Sequence, residues 1–182
     1  MSSLTAKDDP EFRDALRVLK GGGFDASAPL FGVGTERTVI RPRIIEWYDQ
    51  GFFSDQPQAL AEALSCACFL GQTSVAEYLL DHGVAPTVGD GTGMNAYHWA
   101  VNRGKLETVR LLIRRNAPLE VRNMHGTTVL GTAVWSIINE PWWPDQLQII
   151  EELLAAGARV KEAGYPTGHE QVDAVLRRHG AS

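Results

Sequence analysis

The sequence is poor in most of what marks a dedicated chemistry. Its two cysteines, Cys66 and Cys68, are too few for a disulfide framework, and two apart on a helix they diverge to nearly opposite sides. A reduced, cytoplasmic setting is the expectation. Basic residues are in the minority: 17 Lys plus Arg against 22 Asp plus Glu in 182 residues leave a net charge of -5. Split at Gln58, the balance is 7 to 9 before and 10 to 13 after, so neither part conceals a basic region. Broad electrostatic binding to nucleic acid or anionic membrane needs a cationic surplus, so neither partner is expected. Apolar stretches such as Cys66 to Leu70 fall far short of the roughly 18 residues that cross a bilayer. The first ten residues are polar and acidic where a secretory leader would be basic and then apolar, and no leader is expected.

Catalytic constellations are equally thin. The glycines at 21–23 and 32–34 fit neither a dinucleotide-binding fingerprint nor a P-loop, and no Gly-Lys-Ser/Thr follows them. His82, His98, His125, His169 and His179 lack zinc-site spacing. The acid pairs Asp8-Asp9 and Glu151-Glu152 are neighbours only in sequence, since adjacent helical residues point apart. Cys68 reads as small core filler. The expectation is a chain without catalytic residues, metal ligands or cofactor, and without a small-molecule ligand.

What the sequence does have is a period. Gly71 and Gly104 fall 33 residues apart, Ala67 falls on Ala100, and Gly93 lies over Gly126 at the same interval. Each unit reads as a short apolar helix, a glycine turn, a longer helix and a polar loop. In the second helix of one unit Val109, Leu112 and Ile113 mark the buried face, while Arg110, Arg114 and Arg115 mark the other. Gly83 just past a helix end suits a positive φ, and Asn116 is the next-best residue in the matching place. From Asn116 to Gly157 is 41 residues, about 8 over the period, with the surplus around Asn139 to Asp145 and Asp145 as the expected helix cap. From Gly157 to Gly180 is 23, so the last unit keeps its second helix and has lost its first.

These residues resemble ankyrin repeats. The family pattern of Gly-x-Thr-Pro-Leu-His-x-Ala, then Gly, then an apolar helix ending in Gly-Ala, is approached by Gly93 to Ala100, Gly104, and Val109 to Ala117. The third unit follows through Gly126, Thr128, Leu130, Ala133 and the ending Gly157-Ala158. Thr-Pro is replaced by Asn95-Ala96 and Thr128-Val129, and the histidine survives as His98, expected to tie a helix start to its preceding loop. The resemblance implies an all-α helical repeat solenoid over 58–182, divided as 58–90, 91–123, 124–163 with an insertion near 137–145, and a truncated cap at 164–182.

Residues 1–57 are expected to form a helical N-terminal cap. Pro10 to Lys20 reads as an amphipathic helix opened by Asp9 and closed by Gly21 to Gly23; 24–34 read as a loop; a helix from Pro42 ends near Gly51.

The resemblance also implies a non-catalytic module that binds one protein partner on a concave face and blocks it, monomeric when free. An inhibitor or immunity-type protein against a toxin or enzyme is one version, with a basic partner steered by the acidic surface. The face would present Phe69, Leu70, Asn102, Arg103, Trp135 and Ser136 just before the turns, and Asp90, Thr92, Met124 and His125 at the hairpin tips. In the alternative packing the N-terminal helices bury Phe69, or Trp135 packs on the insertion. Trp142 and Trp143 are either a hydrophobic lid or a projecting contact. A scaffold or self-associating subunit, with that pair at a dimer seam, is the rival reading; an enzyme using the N-terminal region is a weaker one.

Overall fold

In a computed structural model, described for residues 8–33, 41–88 and 93–182, the chain is a stack of helices. Three inner helices, α4 (Pro57–Leu70), α6 (Ala96–Asn102) and α8 (Val129–Asn139), pack one against the next. Behind them run α5 (Thr73–Asp81), α7 (Leu106–Arg114) and α9 (Gln146–Ala155), and α10 (Glu170–Arg178) closes the outer layer against α9. The inner layer is apolar almost all round because it is covered on both sides; Leu64, Ala67, Ala100, Val101, Leu130 and Ala133 are all buried. No sheet occurs among the described residues, where a lone antiparallel bridge joins Arg122 and Thr128 across a hairpin.

Local chemistry sets the turns. Gly71 and Gly104 have positive φ after α4 and α6, and Gly83 and Asn116 adopt it after α5 and α7, as the spacing predicts. The unusual pair in place of Thr-Pro still caps: the Asn95 side chain accepts from the backbone N–H of Tyr97 and His98 at 3.0 and 3.1 Å, and Thr128 accepts from Gly131 at 3.2 Å. Buried His98 meets its own cap Asn95 (2.9 Å), the tie to the preceding loop that the sequence suggested, and also the Thr127 carbonyl (3.1 Å), which links α6 to the following unit's hairpin.

The N-terminal segment is more helical than its sequence suggests. α1 (Pro10–Lys20) is capped by Asp9, which accepts from the Phe12 N–H at 2.9 Å, and α3 (Arg43–Asp49) follows Pro42. Between them, the expected loop is instead a short helix, α2 (Phe24–Ser27), and a 3-10 turn, Ala28–Phe31. Phe24 and Phe31 anchor it by burial, and Pro29 fits because the first turn of a helix needs no N–H from it. Residue 34 of that stretch lies outside the described residues. Phe12 meets Trp47, Phe52 and Phe53 edge to face at 5.1 to 5.2 Å, and α1 and α2 both pack on α4.

At the other end, the lost inner helix is replaced by a single 3-10 turn, Val160–Ala163, packed on α8. The insertion is pinned by a buried polar chain. Gln146 Nε2 donates to the Val101 carbonyl (2.9 Å) and to Ser136 Oγ (2.7 Å), and that hydroxyl donates to the Asn102 carbonyl (2.7 Å). The orphan carbonyls at the end of α6 are thus satisfied from the next unit. Asp145 stands at the cap position of α9 but its side chain makes no capping bond, contrary to the sequence expectation. Surface pairs join the outer helices, Arg110 to Glu152 and Arg115 to Glu77 and Asp81, and in solvent they add little to stability.

Phe12→Ala removes the ring on which three aromatic edges converge and should cost about 3–5 kcal/mol, read as a fall in the urea midpoint. A loss under about 1 kcal/mol would mean the aromatic cluster does not support the stack.

Candidate functional site

Between α6 and α8, beneath the 123–128 hairpin, lies a cleft of about 510 Å³. Trp99, Asn102 and Arg103 form one wall, Trp135 and Glu140 the other, and Asn123 closes the hairpin end. Asn123 is held by its own turn, its side-chain oxygen accepting from the N–H groups of His125 and Thr127 at 2.9 and 3.0 Å.

Arg103 is the charge in this cleft. Its guanidinium carbon lies 4.2 Å from the centre of the Phe69 ring, a cation–π contact. Arg110, Arg115, Arg122 and Arg178 each meet a carboxylate; Arg103 meets none within ion-pair distance among the described residues, and its buried Nε has no hydrogen-bond partner there. Half-buried and sharing the cleft with the indoles of Trp99 and Trp135, it is a ready contact for a partner's acceptor.

Not all the residues expected on this face reach it. Phe69 is 8% exposed, sealed edge to face by Phe24 at 5.4 Å and Trp99 at 5.3 Å. The N-terminal segment therefore covers the first unit, and Leu70 beside it packs half-buried against the core. Asn102 is buried too, though it lines the cleft, and Ser136 is fully enclosed in the Gln146 chain. These four lie within the stack because the place before each turn faces the following unit, or the N-terminal helices, rather than solvent. Trp135, in the same place on α8, is 51% exposed because no inner helix follows it.

At the hairpin, Met124 is exposed and lies so close to Gly93 that a Cβ there would sit 2.5 Å from it; His125 is exposed and lines the cleft. Asp90 and Thr92 lie outside the described residues. The tryptophan pair divides its roles. Trp143 is a half-buried lid over the Gly104 turn, its Nε1 donating to Glu140 at 3.3 Å and its ring 5.3 Å from Lys105 Nζ. Trp142 projects, 63% exposed. Trp99, Met94, Thr132 and Glu140 were not foreseen on the cleft. Trp99 could have been, since it stands where the neighbouring units carry Cys66 and Thr132, both small.

Both cysteines are buried in α4, and burial pushes each thiol well above its usual range. Among the described residues no group of three or more His, Cys, Asp or Glu is placed to hold a metal ion, and no helix is long and apolar enough to cross a membrane.

Trp143→Ala should lower stability by about 2–3 kcal/mol in urea unfolding, whereas Trp142→Ala should change it by under about 0.5 kcal/mol; equal effects would contradict the division between lid and projection. Cys66 and Cys68 should resist a thiol reagent in the native protein at pH 8 and react at once in denaturant. Fast native labelling would show that α4 opens.

Comparison with known proteins agrees with the stacked geometry. The model of a family described as ankyrin repeats, in three copies, matches residues 64–163, just over half of the chain. An ankyrin repeat protein of Acanthamoeba polyphaga mimivirus is 40% identical over 55 residues, a stretch covering 30% of this chain and 13% of the viral protein. The chain thus spans only a small part of that relative's length. With its period and its stacked helix pairs over that stretch, the chain belongs to the ankyrin repeat family, whose repeats generally mediate protein–protein interaction.

Proposed function

We propose that the protein binds one protein partner in the cleft between α6 and α8 and acts by masking the surface it covers. The observation that supports this most is the trio on its walls: Arg103, which meets no carboxylate within ion-pair distance among the described residues, with the indoles of Trp99 and Trp135. Arg and Trp dominate interface hot spots, and here they stand on packed helices whose geometry is set before any partner arrives. His98 fixes the hairpin and the Gln146 chain fixes α8 on α6, so little ordering cost remains on binding.

The finer version is an inhibitor or immunity-type protein against a toxin or enzyme. A net charge of -5 supports a basic partner, drawn in by long-range attraction and then held by short-range contacts in the cleft. A cytoplasmic site of action is in keeping with two unpaired thiols. The second reading, a scaffold or self-associating subunit, rests on the exposed Trp142.

The test is affinity capture from native cell extract, followed by calorimetry of the captured partner with variants. Arg103→Ala and Trp135→Ala should each weaken binding by about 2 kcal/mol, roughly 30-fold, while Trp142→Ala should not. Unchanged affinity in both cleft variants would move the interface elsewhere, and a loss confined to Trp142→Ala would favour the second reading.

A further inference from the structure

Every inner helix but the last is covered on its flank by the next. Trp99 of α6 lies 5.3 Å from the Phe69 ring of α4, and Arg103, one turn further, stands over it at 4.2 Å. α8 covers α6 in turn, with Ser136 bonded to the Asn102 carbonyl at 2.7 Å. Beyond α8, among the described residues, stands the 3-10 turn Val160–Ala163, which reaches the start of the helix: a Cβ at Gly131 would lie 3.1 Å from the Glu162 carbonyl. Four and seven residues along the same stripe are Trp135 and Ile138, with Trp142 just past the helix end. They are 51%, 42% and 63% exposed, three of the five exposed large apolar side chains among the described residues. The flank of α8 is half covered, and the bare half is apolar.

We propose that this bare flank docks a basic amphipathic helix of a partner protein, seated where a fourth inner helix would stand. The inner stack itself specifies the occupant, because the proposed contact continues an interface already made twice in the chain. In the place of Trp135 on α8, α4 has Phe69, and what covers Phe69 is an aromatic and a cation four residues apart on one face. A helix with that pair would lay its cation over the exposed indole of Trp135. The net charge of the chain, -5, also suits a basic occupant. Size argues against a second copy of the chain. The three side chains expose on the order of 300–400 Å², under half of the roughly 800 Å² per partner that a stable association needs, which suits one short helix. This surface adjoins the cleft through Trp135 alone, and either can fail without the other.

The probe is a helix-stabilised synthetic peptide of about 14 residues with Trp and Arg four apart on one face and Lys on the other, titrated into the full chain by fluorescence anisotropy. Saturable one-to-one binding is expected, with a scrambled peptide of equal composition, or one with Arg replaced by Glu, at least about tenfold weaker. Ile138→Lys should weaken it by about tenfold or more, while Ile138→Leu and Arg103→Ala leave it within about twofold, with circular dichroism showing each variant folded. Equal binding of the scrambled peptide, no saturable binding, or indifference to Ile138→Lys would overturn the proposal. Loss on Arg103→Ala would overturn it by placing the peptide in the cleft. A dimer in sedimentation equilibrium that Ile138→Lys dissolves would overturn it by assigning the flank to a second copy.

Discussion

A helix pair of this length cannot bury its own apolar stripe, so each unit is held by what lies on either side of it. Stacking supplies the burial of Leu64, Ala100 and Leu130, and the outer ion pairs add little by comparison. The same dependence makes the two ends of the stack the difficult places. Whatever covers an end decides which side chains remain for a partner.

The two ends are covered differently. At the N-terminal end an aromatic cluster centred on Phe12 holds α1 in place, and Phe24 of α2 closes over Phe69. Phe69 is thereby closed off and Leu70 left half-buried. At the C-terminal end one 3-10 turn stands in for a helix and reaches only the Gly131 end of α8. Exposed apolar surface therefore accumulates at one end, next to the cleft that carries Arg103.

The period, the turns and the Asp9 cap were readable because each depends on residues close in sequence. Asn116 in the left-handed region and Asp9 as a cap need only their own neighbours. Burial on the concave side was not readable in the same way. Phe69, Asn102 and Ser136 occupy places that look free within one unit, and the following unit or α2 encloses them. α2 itself was missed because a four-residue helix carries no periodicity to detect; it exists through the burial of Phe24. Trp135 was identified, but the reason for its exposure, the absence of a following helix, is a property of the stack.

The insertion and the exposed flank have a common origin. Where α4 and α6 give way to Gly71 and Gly104, the third unit has Ile137, a β-branched residue that resists a positive φ. The turn cannot form there, so α8 runs on to Asn139 until Pro141 disfavours helix at Glu140. That extra turn, roughly one by the helical repeat, carries Ile138 out beside Trp135, and the chain then needs a longer return path to reach α9. The return path brings Trp143 onto the Gly104 turn and Gln146 under the end of α6, which repairs the packing that the missing glycine turn would have provided. One residue's backbone preference thus lengthens the helix, exposes its flank and calls for the loop that holds it in place.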